Sequence, residues 1–592
     1  MDFNWDSIVE TILMFILLGG LALGIFLDYI YLIIVPVALF AMITFNRFRK
    51  NRKIRLGKER LKSQWGREHI EKRVISDIRK LYDFLASERK DTFFIDDITW
   101  RDLNMDAVFA RIDHTKSLPG MNYLYNLLRN PLFTKDELIR RDKIIKSFQD
   151  NKDLAIEIQW PLSILGKKDK ADVFLYFEDG LNVRTNMLII YRILSLIPYL
   201  AALLLIVNRE MGFTVFVLVL GINAAIYQKN KNRVYEEIEI FRYLGNLIRC
   251  LEGIDKVQTP GIDIDRLKIK DLLQATRKIN KNISKLNKGT YEGNDLQFLM
   301  EYANMVTLRE TIIFYNTVRL INDKREGFIE IYKLIGEIDT YISIASYKDS
   351  LDYYTEPNLL KGNQSLIIEA VDLYHPLLDD PVPYTFKLED RGALVTGSNA
   401  SGKSTYLRSI GVNALFAQTM YLTLAKNYQA NYFRLLTSIG TTDSIEDGDS
   451  YFMTEAKSLK RIIDSLNPQE PVLCILDEIF RGTNTLERIN AAREVLNYMI
   501  SRNALVVAAT HDLELTTMVT DSFDNYHFQE DIKENDIEFD YILRKGPTTS
   551  RNAIAILRYL GYPKEIHEKA DKSVEMYEAG NKGDRIRISG KL

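Results

Sequence analysis

The sequence predicts a largely helical N-terminal region that carries two apolar helical hairpins, followed by a C-terminal α/β domain with a mainly parallel sheet. Four apolar runs lie before residue 230, and stretches of charged, helix-like sequence separate them. Short β-type runs begin near Leu359, and three of them end in polar side chains. Strands with polar carboxyl ends are typical of parallel sheets that carry a site at that edge. A chain of 592 residues has room for about three or four domains.

Charge and cysteine content restrict the function classes. The formal net charge of -2 provides no global attraction to nucleic acid, so such binding would need a local basic face. The two cysteines, Cys250 and Cys474, have neither zinc-site spacing nor the density of a disulfide framework. This usage fits a reducing compartment, and Cys474, inside an apolar run, is predicted to be a small core residue.

The first hairpin consists of Ile12–Leu27 and Tyr29–Phe45, with its turn near Asp28. Each run has about 16 to 17 residues, close to the lower limit for a membrane-spanning helix. A cleavable signal peptide is the first alternative, but the acidic N-terminus argues against it. Buried core helices of a soluble protein are the second alternative.

The second hairpin consists of Met187–Val207 and Phe213–Tyr227, with Asn208–Gly212 as the predicted connector. Its second run has only about 15 residues, so a re-entrant segment is an alternative to a full span. Arg192 is the one charge in the first run, and its position near the helix start would let it reach the interface.

Clusters of basic residues follow both hairpins, NRFRKNRKIRLGKER after the first and QKNKNR after the second. By the positive-inside pattern both hairpins begin and end in the cytoplasm. The prediction is a multi-pass protein of the cytoplasmic (inner) membrane, in contact with lipid, whose C-terminal domain lies in the cytoplasm.

The predicted domain boundaries follow these patterns. They are 1–46 for the first transmembrane hairpin, 47–183 for a cytosolic helical region, 184–228 for the second transmembrane hairpin, 229–358 for a helical return, 359–575 for the α/β domain and 576–592 for a flexible tail.

A glycine-rich loop follows the short strand Ala393–Thr396 and leads into helix-compatible sequence. Its pattern G-x-x-x-x-G-K-S suits a loop whose backbone N–H groups surround phosphates. Lys403 is predicted to reach the β- and γ-phosphates, and Ser404 to bind Mg²⁺. A chance glycine-rich turn is the alternative. The predicted nucleotide-binding residues are Gly397, Ser398, Asn399, Ala400, Ser401, Gly402, Lys403, Ser404 and Thr405.

Two more strands end in chemically active side chains. Val472–Leu476 precedes Asp477 and Glu478, and Leu505–Ala509 precedes Thr510-His511-Asp512. Asp477 is the predicted second Mg²⁺ ligand, Glu478 would orient the attacking water, and His511 would contact the γ-phosphate. An acidic strand cap and a structural histidine are the alternatives. The predicted activity is Mg²⁺-dependent ATP hydrolysis, with ATP and Mg²⁺ as ligands and Lys403, Glu478 and His511 as catalytic residues.

These motifs together resemble the MutS ATPases of DNA mismatch repair, a branch of the ABC class. Four segments of the α/β domain carry the resemblance: TGSNASGKSTYLR at 396–408, DSYFMTE at 449–455, LDEIFRGTNT at 476–485 and ATHDLEL at 509–515. His375-Pro376, the segment at 109–131 and the helices at 551–570 are also similar to the family. The fold implied is a MutS-type P-loop domain preceded by an all-α lever domain that carries the two transmembrane hairpins.

The resemblance also implies partners. In the family the 449–455 segment reaches the partner subunit's nucleotide, so Ser450 is expected to act in trans, and a homodimer through the ATPase domain is expected to form composite sites. The second hairpin falls within the lever region, and we expect the mismatch-recognition domain to be missing and the clamp to be reduced or absent. Mismatched-DNA binding is therefore implied by the family but not by these residues.

Two function hypotheses follow. The first is a membrane-anchored MutS-like ATPase that couples ATP to DNA binding, repair or recombination. The second is a nucleotide-driven membrane switch or remodelling ATPase without a nucleic-acid ligand, acting on a membrane partner. The basic residues of 267–286 favour the first hypothesis, although a basic helix face is more often simply solvated. An ABC-type transporter subunit is a third alternative, and the absence of polar residues for a pathway in the four runs argues against it.

Overall fold

The computed structural model describes most of the chain and divides it into two compact units. The helical unit comprises Met1–His69, His114–Met121 and Lys146–Ser350, and the sheet unit comprises Ile70–Asp113, Asn122–Ile145 and Leu351–Leu592. The described residues are 5–67, 75–86, 92–168, 172–181, 183, 185–259, 265–288, 296–361, 365–398, 401–440, 451–467, 469–533, 536–548, 554, 557–558 and 561–574. The predicted site residues outside them are Asn399, Ala400 and Ser450, and the predicted tail 576–592 also lies outside.

Helices make up the regular structure of the described chain before residue 350. In chain order they are α1 (Trp5–Phe26), α2 (Ile34–Gln64), α3 (Ile75–Ala86), α4 (Asp97–Asp102), α5 (Met105–Ile112), α6 (Leu118–Arg129), α7 (Lys135–Asp150), α8 (Lys152–Leu165), α9 (Val173–Asp179), α10 (Leu188–Val207), α11 (Arg209–Asp255), α12 (Arg266–Lys288), α13 (Leu296–Thr307), α14 (Arg309–Asp323) and α15 (Arg325–Lys348). Two 3₁₀ helices, Tyr29–Ile33 and Thr185–Met187, lie among them.

The first hairpin turns at Asp28. Helix α1 ends at Phe26, and the Asp28 carboxylate accepts a hydrogen bond from the Ile30 backbone N–H at 3.1 Å. This cap begins the 3₁₀ helix that leads into α2. Near the other end of the hairpin, the Arg49 guanidinium donates to the Glu10 carboxylate at 2.9 Å, so one ion pair joins the two helices.

The connection of the second hairpin is shorter than predicted. The sequence suggests a five-residue connector, Asn208–Gly212, whereas α11 already begins at Arg209. The physical reason is a cap: the Asn208 side chain accepts from the Met211 backbone N–H at 3.1 Å, which starts the helix at once. Helix α11 then runs unbroken for 47 residues to Asp255, across the predicted boundary at 228.

Four helical segments of the described chain are long and apolar enough to cross a membrane. They are Ile8–Phe26, Tyr29–Gln64, Leu188–Val207 and Arg209–Lys231. Most of their apolar side chains are exposed, and only 6% of the most apolar window of each of the first two is buried. Exposed apolar surface of this extent is typical of a region that is shielded from water by a membrane or by another protein. Membrane insertion stays a prediction.

Helices α2 and α11 both pack closely on α8 within the helical unit. A Cβ atom at Gly57 of α2 would come within 2.0 Å of the Trp160 ring, and one at Gly253 of α11 would come within 2.7 Å of Pro161. Lys58 and Lys62 of α2 add ion pairs to Glu157 and Asp153 of α8. Helices α2 and α11, each of which contains one of the four candidate spans, therefore share α8 as a neighbour.

The segment His114–Met121 is fastened to α15 by a buried carboxylate. Asp339 is fully buried and accepts from the backbone N–H groups of Lys116 and Ser117, and from the Ser117 hydroxyl at 2.6 Å. Burial raises the pKa of Asp339 to about 6, against the lowering effect of these hydrogen bonds. The Thr340 hydroxyl also donates to the Gly120 carbonyl at 3.0 Å.

The sheet unit contains the strands of the described chain. They are β1 (Asn358–Leu360), β2 (Ile367–Leu373), β3 (Tyr384–Glu389), β4 (Gly392–Thr396), β5 (Asn427–Asn431), β6 (Arg434–Ser438), β7 (Val472–Asp477), β8 (Ala504–Ala509), β9 (Phe523–His527), β10 (Glu530–Lys533), β11 (Asp536–Phe539) and β12 (Arg544–Lys545). The helices among them are α16 (Lys403–Thr419), α17 (Tyr451–Asp464), α18 (Thr485–Ile500) and α19 (Leu513–Met518).

The central sheet has six strands in the order β12-β9-β4-β8-β7-β6. Its pairs are parallel except β12 with β9. A second sheet, β1-β5-β2-β3, contains antiparallel pairs, so the sheets of this unit are mixed. The predicted order of a mostly helical region followed by an α/β region is confirmed. Cys474 lies on β7 and is fully buried in a core cluster that also contains Leu496 and Met499 of α18, as expected for a small residue on a strand covered on both faces.

Candidate nucleotide-binding site

The glycine-rich loop joins β4 to α16 and needs glycine at both ends. Gly397 has φ +142° and Gly402 has φ +102°, backbone conformations that other residues rarely adopt. A Cβ atom at Gly397 would also lie 3.0 Å from the Phe528 carbonyl oxygen. Between them, the Ser401 hydroxyl donates to the Ser398 carbonyl at 2.7 Å. The loop therefore curls back on itself at the N-terminus of α16, where backbone N–H groups are available to an anion.

Lys403 begins α16 and is almost completely buried, with 1% of its surface exposed. Its ammonium donates to the Gly397 carbonyl and to the Ser398 carbonyl, the latter at 3.0 Å, and lies 3.3 Å from Nε2 of His511. Phosphate oxygens are charged and would be stronger acceptors than these carbonyls. Thr405 lies in the same first turn of α16.

Ser404 and Asp477 meet at the carboxyl end of β7. The Ser404 hydroxyl donates to Oδ2 of Asp477 at 2.7 Å. The second carboxylate oxygen, Oδ1, is buried and accepts no hydrogen bond from the described residues. A hydroxyl and an under-used carboxylate are the hard oxygen donors that Mg²⁺ prefers, so these residues fit the ion that the sequence predicts. The described part of the chain contains no group of three or more His, Cys, Asp or Glu side chains that could hold a metal ion.

Glu478 follows directly, and its carboxylate contacts the side chains of His511 and Arg481. Its Oε1 atom lies 2.9 Å from Nε2 of His511, and its Oε2 atom forms an ion pair with Arg481. Burial alone would raise the pKa of Glu478, but the hydrogen bonds from His511 and Arg481 lower it to about 2. Glu478 also has φ +50°, and such backbone strain in a non-glycine residue is concentrated at functional sites.

Backbone hydrogen bonds align the ends of three neighbouring strands. The Glu478 N–H donates to the Ala509 carbonyl at 2.9 Å, and the Thr510 N–H donates to the Val395 carbonyl at 3.0 Å. The carboxyl ends of β4, β8 and β7 therefore lie side by side. This alignment brings together Lys403, Ser404, Asp477, Glu478 and His511, which the sequence separates by up to 108 positions.

Sequence reasoning missed two side chains near Glu478. Arg481 follows Glu478 by three positions, a spacing that could have suggested the ion pair. Glu455 of α17 is buried, and its carboxylate accepts hydrogen bonds from the backbone N–H groups of Arg481 and Gly482. Burial raises the pKa of Glu455 to about 7, and the nearby charge of Glu478 acts in the same direction. Helix α17 therefore supports the loop that carries Arg481.

The contact between α17 and this loop is also steric. A Cβ atom at Gly482 would lie 3.0 Å from Cβ of Phe452, and the rings of Phe452 and Phe480 lie 5.8 Å apart. On the other side of Glu478, Asp512 follows His511. Its carboxylate forms a bidentate ion pair with Arg488 of α18, with N···O distances of 3.0 and 2.6 Å. The loop after β7, which carries Arg481, is thus bonded to α17, and the loop after β8, which carries His511, is bonded to α18.

Comparison with known proteins adds independent findings. Residues 393–578 match the family model described as MutS domain V. The chain is similar to the DNA mismatch repair protein MutS of Aquifex pyrophilus, with 28% identity over 385 residues, or 61% of this chain and 44% of that protein. It is also similar to the MutS of Thermus aquaticus, with 24% identity over 521 residues, or 81% of this chain and 62% of that protein.

A third relative is similar to a shorter part of the chain. The DNA mismatch repair protein MSH3 of Meyerozyma guilliermondii is 28% identical over 284 residues, which cover 45% of this chain and 29% of that protein. The chain therefore spans less than two thirds of the length of each of these three relatives.

Proposed function

We propose that the chain is a member of the MutS family, as its match to MutS domain V and its relatives suggest, and that it binds ATP with Mg²⁺ and hydrolyses it in a composite site of a homodimer. One observation carries the proposal. A glycine-rich loop, a buried lysine, a serine–aspartate pair, a glutamate and a histidine meet at the ends of three adjacent strands. Each of these groups has a use in phosphoryl transfer, and structural roles alone would not explain their convergence.

Each residue has a role under this proposal. The loop N–H groups and Lys403 bind the phosphates of ATP, and Ser404 and Asp477 hold Mg²⁺. Mg²⁺, when bound there, neutralises negative charge on the β- and γ-phosphates. Glu478 orients the attacking water, and His511 lies close enough to Lys403 to contact the γ-phosphate. Ser450, Asn399 and Ala400 keep the roles that the family resemblance implies, with Ser450 acting in trans.

The first experiment is an ATPase assay on detergent-purified protein with Glu478→Gln as the blank. The glutamine keeps the side-chain volume but removes the carboxylate, so we expect ATP binding without hydrolysis. Glu487→Gln, which neutralises an exposed carboxylate in the first turn of α18, is the matched control and should hydrolyse ATP normally. A wild-type protein that binds no ATP, or a Glu478→Gln variant that turns over at the wild-type rate, would refute the proposal.

For the ligand that ATP controls, we propose DNA, or a DNA-bound assembly at the membrane. Helix α12 supports this choice. Its buried face consists of apolar residues such as Ile269, Ile279 and Ile283. The opposite face exposes five cations within an arc of roughly 100°, and these are Lys270, Arg277, Lys278, Lys281 and Lys285. Their spacing suits the phosphates of a nucleic-acid backbone.

A second candidate function is a nucleotide-driven membrane switch without a nucleic-acid ligand. The continuity of α11 favours it, because one helix contains a candidate span and then packs on α8 through Gly253. Adding duplex, mismatched and branched DNA to the ATPase assay at low and moderate salt separates the two. Stimulation that fades as salt rises supports DNA, and hydrolysis that ignores every DNA supports the switch.

We also propose that both hairpins span the cytoplasmic membrane, with the sheet unit in the cytoplasm. Four long, exposed apolar helices and the basic residues that follow each pair support this topology. The two native cysteines are buried, which allows single cysteines to be introduced at Asp28, Asn208 and Lys285 with little background. A membrane-impermeant maleimide added to intact cells should label the first two positions only. Labelling of Lys285→Cys, or of none of the three, would reject the topology.

A further inference from the structure

Helix α4 and the residues next to it contact β6, α16 and α17 within the sheet unit. We call this meeting point, formed by Asp96, Asp102, Leu103, Arg408, Thr437 and Arg461, the junction. The Asp102 carboxylate, at the end of α4, is 4% exposed. Its Oδ2 atom accepts two hydrogen bonds from the end of β6, from the Thr437 hydroxyl at 2.8 Å and from the Ile439 backbone N–H at 2.8 Å. A buried carboxylate that accepts both a side-chain and a main-chain donor fixes the strand end in position.

The other end of α4 is bonded to α17. Asp96 caps α4, with Oδ1 accepting from the Thr99 N–H at 2.7 Å, and its Oδ2 forms an ion pair with Arg461. The same guanidinium donates to the Thr437 carbonyl. Arg461 therefore links α17 to both α4 and β6.

Asp102 also contacts the phosphate-binding helix. Arg408 of α16 donates from Nε to the Asp102 carbonyl at 2.9 Å. Next to this bond, a Cβ atom at Gly411 of α16 would lie 2.5 Å from the Leu103 side chain, so α16 approaches this junction as closely as glycine permits. The junction thus connects α16, which begins with Lys403 and Ser404, to β6 and α17.

The position of α17 matters for Glu478. Glu455 of α17 holds the backbone of Arg481 and Gly482, and Arg481 in turn holds the Glu478 carboxylate. Through α16 the junction is therefore connected to the phosphate-binding residues, and through α17 it is connected to Glu478. Small displacements of reacting groups can reduce turnover by about 100-fold, so a group that sets their relative position affects rate strongly.

We propose that Asp102 is a positioning residue of the ATPase site, which sets the Lys403 and Ser404 end of the site relative to Glu478 by bonding the end of β6 and supporting α16 at one point. This inference rests on the proposed ATPase function. It assigns a role in hydrolysis to Asp102, which precedes the predicted start of the α/β domain at residue 359 by more than 200 positions. Asp102 itself touches none of the predicted catalytic side chains.

The test compares three variants of the full-length protein. Asp102→Ala removes both acceptor bonds, and we expect kcat to fall by about 10- to 100-fold while KM for ATP and the affinity for a non-hydrolysable ATP analogue stay within about twofold. Asp102→Asn should restore most of the rate, because its amide oxygen can accept both bonds. Asp106→Ala removes a nearby acid that bonds the Trp100 indole instead, and should match the wild type.

A second route covers the case in which Asp102→Ala does not fold. Thr437→Val keeps the side-chain shape but removes one of the two bonds, and we expect a smaller fall in kcat, again without a change in KM. Wild-type kcat in both Asp102→Ala and Thr437→Val, or an Asp102→Asn variant as slow as Asp102→Ala, would overturn the inference. A wild-type protein without any ATPase activity would instead overturn the proposed function.

Discussion

Nε2 of His511 lies 2.9 Å from Oε1 of Glu478, and the same ring nitrogen lies 3.3 Å from the Lys403 ammonium. His511 therefore bridges the residue predicted to orient water and the residue predicted to bind the γ-phosphate. Arg481 holds the other oxygen of Glu478. The glutamate is an acceptor already engaged by two donors, and any water that it orients must share it with them.

The first prediction concerns the pH dependence of hydrolysis. Glu478 has a pKa of about 2 against an ordinary value of 4.5, so its ion pairs stabilise the fold above about pH 4.5, and that contribution is lost as the pH falls toward 2. Arg481→Gln removes one cause of the lowering. We expect the acid limb of the pH–rate profile to move to higher pH.

Arg493→Gln is the control for this experiment, because it also removes one arginine charge, but Arg493 lies on α18 and pairs with Glu494 instead. Its acid limb should coincide with that of the wild type. An acid limb that does not move in Arg481→Gln would show that Arg481 does not control the protonation of Glu478 during turnover.

The second prediction concerns Mg²⁺. Ser404→Ala removes the hydroxyl that bonds Asp477, and with it one predicted oxygen ligand. We expect the Mg²⁺ concentration for half-maximal ATPase activity to rise by about tenfold. Ser409→Ala removes a hydroxyl on the same helix that donates to the Thr405 carbonyl at 2.7 Å, and should leave the titration unchanged. Equal Mg²⁺ titrations for Ser404→Ala and the wild type would remove Ser404 from the ion site.

The third prediction concerns the basic face of α12. A triple variant, Arg277→Gln, Lys281→Gln and Lys285→Gln, should bind duplex DNA more weakly. The slope of log affinity against log salt should fall by about 2 to 3 units, because each lost phosphate contact removes about 0.9. The control is Lys387→Gln, Lys426→Gln and Lys460→Gln, which removes the same charge from side chains that are already paired with acids. Equal salt slopes for the two triple variants would dissociate α12 from DNA binding.

The fourth prediction concerns stability. A Cβ atom at Gly120 would lie 2.2 Å from Oδ2 of Asp339, so Gly120→Ala must displace a buried, fully engaged carboxylate. We expect a loss of about 1–3 kcal/mol in the free energy of unfolding, measured by denaturant or thermal melting. Gly327→Ala, whose nearest neighbour would be the Leu272 side chain at 4.0 Å, should be neutral or stabilising. Similar melting curves for the two variants would show that the segment around Gly120 can shift freely.

The sequence by itself determined features that depend on residues close together in the chain. The glycine-rich loop, the strands that precede Asp477 and His511, and the turn at Asp28 each depend on residues within about ten positions, because turn, strand and cap signals act over short range. The resemblance to the MutS family followed from the same local motifs, and the match of residues 393–578 to MutS domain V agrees with it. The predicted roles of the site residues stay predictions.

The tertiary structure decided what joins these local pieces. Arg481 and His511 converge on Glu478 because a loop and a strand end meet there, and Asp102 bonds Thr437 across 335 positions of the chain. The His511–Glu478 and Asp102–Thr437 contacts have no periodic or compositional signal in the sequence. The sequence predicts helical structure on both sides of residue 228, and the tertiary structure joins the two parts into one helix, α11, whose far end packs on Pro161 of α8. Contacts between residues distant in sequence depend on how elements pack, which single-chain patterns do not encode.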